Sequence, residues 1–126
     1  MPIAVETDIG RRLLVATVSG EVTFPDLMEF FATARSGEGH DWPMLVDVTS
    51  ATTEIGSAKM QRVAEHVGKV VRRDGHRASA AIFAPTDVSF GMARMYQTLC
   101  ESRGIDVIRV FRIRAEAEAW LLSDRV

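Results

Sequence analysis

Four short apolar runs, each followed by a segment with helical spacing, constrain this chain more than any other feature. The runs cover residues 12–19, 44–48, 78–84 and 106–112. After the first, Leu27, Phe30, Phe31 and Ala34 recur at i, i+3, i+4 and i+7, one face of a helix. After the second, Met60, Val63, Ala64, Val67, Val70 and Val71 fall on one face. Lys59, Arg62, Glu65, Lys69, Arg72 and Arg73 fall on the other. After the third come Val88, Met92, Met95, Tyr96 and Leu99. After the last, a helix over 115–122 is anchored by Trp120 and Leu121. Strands that alternate with helices must run parallel, joined by right-handed crossovers. Residues 3–7 add a strand ahead of the first run, joined by a tight turn into a hairpin. The prediction is one α/β domain over residues 1–126: a mixed, mostly parallel five-stranded sheet with four helices, in the order β-β-α-β-α-β-α-β-α.

Local signals place the boundaries. In 12–19, Leu13, Val15 and Thr17 alternate with Leu14, Ala16 and Val18, so both faces are largely apolar and the strand is central. Gly10 is free to take positive φ in the turn before it, and Gly20 breaks the strand. Thr23 can cap the first helix, with Pro25 in its first turn and Asp26 at the capping-box position. A loop is expected at 36–41. The run 44–48 does not alternate, which suits a strand buried on both faces. A Thr- and Ser-rich loop over 49–56 leads to Ser57, read as the cap of the second helix. Residues 74–77 stop that helix, Thr86 or Asp87 caps the third, and Gly104 ends it.

Composition narrows the function classes. The chain has 126 residues and a formal net charge of -2, and its 15 basic residues are scattered. Nucleic-acid binding wants a clustered basic surface, so it is not expected. There is one cysteine, Cys100, so no intrachain disulfide can form. No apolar run approaches the ~20 residues that span a bilayer. No leader-like segment opens the sequence, so the expected location is the cytoplasm. His40, His66 and His76 are too scattered for a metal site and read as surface residues. Cys100 reads as a half-buried packing residue. No phosphate-binding glycine loop or nucleophile elbow is present, and no cofactor is expected.

The order of elements resembles the STAS domain, the fold of sulfate transporters and anti-sigma-factor antagonists. Within it the chain is most similar to the small stand-alone SpoIIAA-like proteins of bacteria. The resemblance rests on Val18-Ser19-Gly20 with residues 21–27, on Leu45-Val46-Asp47-Val48, and on residues 80–85 with 90–96. It rests also on Val110-Phe111 with residues 116–121. It implies a non-enzymatic regulatory module that binds a protein partner, with helices mainly over one sheet face. Thr17, Ser79, Ala81, Phe83, Arg109 and Phe111 would then lie on the other face, either as a homodimer surface or covered by the chain itself. Antagonists of this type are switched by phosphorylation of a serine at the start of the second helix, where the family motif is an acidic residue, two hydroxyl residues and then a glycine. Here the stretch is Thr53-Glu54-Ile55-Gly56-Ser57. Ile55 stands where a hydroxyl belongs, so the motif is not matched, and Ser57 could serve only after a shift.

In an open α/β sheet, ligands bind beyond the carboxyl ends of the strands. Asp47, Thr49 and Ser50 lie at one such end, and Pro85, Thr86 and Asp87 at the next. Phe90 and Gly91 would sit beside them, the glycine permitting close approach. With Ser57, these are the candidate binding residues. Asp47 has two readings: part of a binding cleft, or a carboxylate that bonds amides of its own loop, the commoner use. Three functions follow from the candidates. The first is a protein-interaction module working through the loop after Val48 and the start of the second helix. The alternative is a small-ligand or lipid-binding cleft at the strand ends. The third is an enzyme resting on Asp47 and Asp87 alone, which would need an inward-facing carboxylate pair with perturbed pKa.

Overall fold

The computed structural model describes residues 3–33, 42–74 and 79–123, with the side chains of 31–33 and 70–74 outside that description. The loop expected at 36–41, Phe31 and Ala34 of the first stripe, Val70 and Val71 of the second, His40, His76 and the stop at 75–77 all fall outside it. The predicted order is the one observed: β1 (Ile3–Asp8), β2 (Leu13–Glu21), α1 (Phe24–Thr33), β3 (Met44–Thr52), α2 (Ser57–Asp74), β4 (Ala80–Phe83), α3 (Asp87–Glu101), β5 (Ile108–Phe111) and α4 (Arg114–Ser123). The sheet runs β1-β2-β3-β4-β5, with β1 antiparallel to β2 and the remaining pairs parallel.

The register sorts side chains onto two faces, because directly opposed residues share a face. Leu14, Met44, Ala80 and Ile108 form one row, and Ala16, Val46, Ile82 and Val110 the next. These meet α1, α2 and α3. Ile82 and Ile108 join Met60, Val63, Ala64, Val67, Ala93 and Tyr96 in the main core, while Leu14, Ala16 and Met44 pack with Phe30 and Trp42. Opposed rows on the far face hold Val15, Leu45, Ala81 and Arg109, then Thr17, Asp47, Phe83 and Phe111. There α4 lies across the sheet, setting Ala117 and Leu121 on Leu13, Leu45 and Ala81. Trp120 packs on Phe111, with ring centroids 5.7 Å apart. The face suggested as a dimer surface is therefore covered over β3, β4 and β5 by the chain's own last helix.

Several boundaries move, each for a local reason. In the first turn Arg12, not Gly10, takes positive φ (51°), because Asp8 accepts from both the backbone N–H and the Nε of Arg11 and closes the turn one residue later. Gly20 does not break β2; with φ at 72° it lets the strand continue to Glu21. β4 and β5 are shorter than the apolar runs that announce them. Thr23 and Asp26 form the expected capping box on α1, each side chain taking the other's backbone N–H. That bond from Thr23 N–H holds the Asp26 carboxyl below its ordinary range. Thr86 rather than Asp87 caps α3, paired with Ser89 in a second box. Ile105 N–H reaches Cys100 C=O and Gly104 N–H reaches Glu101 C=O, a Schellman end with Gly104 at φ 80°.

Candidate functional site

The carboxyl ends of the four parallel strands form one edge of the sheet, and all four helices start there. β3 outruns its neighbour on one side. Its pairing with β4 stops at Asp47 opposite Phe83, while Ser50, Ala51 and Thr52 go on pairing with Ser19, Gly20 and Glu21. Two steps of β2 face three of β3 between Asp47 and Ser50, so β3 bulges there. Thr49 and Ser50, expected in a loop, are exposed strand residues at this bulge.

Asp47 is the residue that the bulge uses. Its Oδ1 accepts the Thr49 backbone N–H at 2.9 Å and the Thr49 hydroxyl at 2.6 Å. Its Oδ2 accepts from Arg114 at the start of α4, at 3.0 Å. Arg114 also meets Glu118, which Arg11 reaches from the first turn, and Arg11 holds Asp8. The side chain that donates these bonds keeps the Asp8 carboxyl below its ordinary range. Asp47 thus begins a chain of ion pairs that fastens α4 to the sheet. Arg114 is the partner sequence reading missed. The i, i+4 pairing with Glu118 was legible in the sequence; its contact with a strand 67 residues away was not.

Past β3 the chain is stitched to its neighbour. Val22 N–H donates to Thr52 C=O at 2.8 Å, the Thr53 hydroxyl donates to Val22 C=O at 2.9 Å, and Ile55 N–H donates to Thr53 Oγ1. Ile55 turns inward into the main core. The first bond of α2 runs from Met60 N–H to Gly56 C=O, so Gly56 holds the cap position and Ser57 is the first helical residue, not the cap. Ser57 is exposed.

On the other side of β3, Pro85 and Thr86 lead into α3. Arg112, just past β5, donates to Asp87 Oδ1 at 2.8 Å and lies 4.3 Å above the Phe90 ring. The Asp87 side chain is 93% exposed, so this pair positions the β5–α4 connection more than it stabilises the fold. Two apolar side chains next to these residues in the sequence are exposed. Val88, expected in the buried stripe of α3, is 80% exposed, and Ile113 is 55% exposed. Gly91 is also exposed, and a Cβ there would meet no other atom of the chain within 4 Å.

Asp47 and Asp87 are each taken by a different arginine; Asp47 is mostly buried but Asp87 stands in solvent, so the two are not the inward-facing pair of the enzyme reading. Cys100 is fully buried rather than half-buried; burial pushes its thiol up to about 11, far from a reactive thiolate. His66 is half-buried rather than on the surface, and its Nε2 is shielded without a hydrogen-bond partner among the described residues. Among those residues no cluster of three or more His, Cys, Asp or Glu side chains is placed to hold a metal ion. Among the described residues no helix is long and apolar enough to cross a membrane.

The architecture is that of the SpoIIAA-like, or STAS-type, α/β fold. The chain is similar in structure to an uncharacterised protein of the DUF3478 family with a SpoIIAA-like fold from Shewanella loihica PV-4. The superposition has a TM-score of 0.57 and covers 94% of this chain and 91% of the other, at 16% sequence identity. No protein-family model matches the sequence, and no curated protein does at a significant level.

Proposed function

We propose that the chain is a STAS-type protein-interaction module acting in the cytoplasm as one non-enzymatic domain. Its partner surface is the carboxyl edge of the sheet. The observation that carries this reading is that Val88 and Ile113, which follow the ion-paired Asp87 and Arg112 in the sequence, are large apolar side chains left exposed. Exposed apolar side chains beside charged ones are what an interaction surface offers. Thr49, Ser50 and Ser57 supply exposed hydroxyls along the same edge.

The test is co-purification from the native cell extract, quantified by mass spectrometry. A double variant, Val88→Asp with Ile113→Asp, should lose at least tenfold of each specific partner while keeping its melting temperature, because both side chains are already in water. Retention of all partners at wild-type levels would remove this surface from consideration. Ser57→Ala tests the hydroxyl separately. Unchanged capture by that variant limits recognition to the apolar pair and Asp87.

A further inference from the structure

The sheet has two outer edges, β1 and β5. β5 is four residues long, with α3 and α4 packed on its two faces. β1 is a different kind of edge. It has six residues and pairs with β2 in unbroken register from Ile3 opposite Val18 to Asp8 opposite Leu13. Edge strands are normally blunted by lysine, proline, a bulge or shortness. Residues 3–8 contain no lysine or proline, and no bulge interrupts them. Asp8, one of the two charges, is committed to Arg11 in the turn. Among the described residues, two of the four exposed large apolar side chains lie on β1 or in the turn after it: Val5 at 41% and Ile9 at 64%.

We propose that β1 pairs with β1 of a second copy, antiparallel about a two-fold axis, joining two five-stranded sheets into one of ten strands. Symmetry and charge select the register. A two-fold axis perpendicular to the sheet keeps α1, α2 and α3 of both copies on one side and α4 of both on the other, so one residue must stand opposite itself. Centring on Glu6 would set two carboxylates face to face, which destabilises a strand pair. Centring on Ala4 would run the ladder into Pro2, which has no N–H to give. Centring on Val5 avoids both. Val5 then meets its own copy on the helix-bearing face, Ala4 faces Glu6, and Ile3 faces Thr7. Stable interfaces bury about 1,200–2,000 Å² in total. Five pairs on one edge, with few side chains beyond them, fall short of that. The dimer is therefore a weak one that grows with concentration.

The register predicts a cross-link. Opposed Cα atoms in an antiparallel pair lie about 4.5–5.5 Å apart, inside the range a disulfide accepts. Under mild oxidation at ~100 μM, Val5→Cys should form covalent dimer at least tenfold faster than Val88→Cys, although Val88 is the more exposed position. Cys100 is buried and does not compete. Equal or slower cross-linking at position 5 would overturn the register. Sedimentation equilibrium of the wild type from ~10 μM to ~1 mM should show the mass rising above the 13.9 kDa of one chain. Val5→Lys, at a site that tolerates solvent, should weaken association at least tenfold with an unchanged melting temperature. One 13.9 kDa species throughout, or association untouched by Val5→Lys, would overturn the proposal.

Discussion

Asp47 shows how far a residue type and its place in a run can be read. A carboxylate at the end of an apolar strand admits a ligand role or a backbone role. The bulge decides between them here, because it leaves the Thr49 N–H outside the ladder, and Asp47 Oδ1 takes it. Arg114 takes the other oxygen. Replacing Asp47 by Ala removes the bond to the exposed Thr49 N–H and frees the guanidinium. The expected loss is about 1–2 kcal/mol of unfolding free energy, from one backbone bond and one partly exposed ion pair. Urea denaturation measures it, with the slope unchanged. A loss below ~0.3 kcal/mol would leave Asp47 no structural role and return it to the list of binding residues.

At the scale of elements, α4 is where sequence reading and structure part most. Its pattern names Trp120 and Leu121 as anchors, and both pack on the sheet. The sequence carries no sign of which face they reach. Right-handed crossovers put α1, α2 and α3 on one side; α4 follows the edge strand β5 and is free to fold under. It does so because Leu13, Leu45 and Ala81 offer an apolar strip there, and the chain from Arg114 to Asp47, Glu118 and Arg11 fixes its start. Leu121→Ala should cost roughly 2–4 kcal/mol, the usual range for a buried leucine that leaves a cavity. Chemical denaturation reads this. A cost under ~1 kcal/mol would mean that α4 contributes little to covering that face.

For the whole molecule, Cys100 is a built-in reporter of opening. It is fully buried at the end of α3, hydrogen-bonded to the buried Tyr96, in the core shared by α2, α3 and β5. Its thiol should react with an aromatic disulfide at pH 8 only when the core opens, so the native protein's rate should rise with urea in step with global unfolding. Fast labelling in native buffer would contradict this packing. The pH effect has a definite sign. The folded thiol ionises near pH 11 and an exposed one near 9.0, so between these values the folded chain holds the extra proton. Stability therefore falls as pH rises through that window. Cys100→Ala should flatten that part of the curve.

The order of elements, the central place of β2, the buried stripe of α2 and the capping boxes of α1 and α3 are all legible in the sequence. They depend on periodicity and on bonds within three or four residues, which local chemistry sets. The extension of β3, the side chosen by α4, the exposure of Val88 and the capture of Asp47 by Arg114 are decided only in three dimensions. Each depends on which strand lies beside which, and a single sequence carries that information only in its pairings. The carboxyl ends of the strands are a candidate edge from the element order alone. The side chains that best mark it, Val88, Arg112 and Ile113, emerge only once α3 and the β5–α4 connection meet.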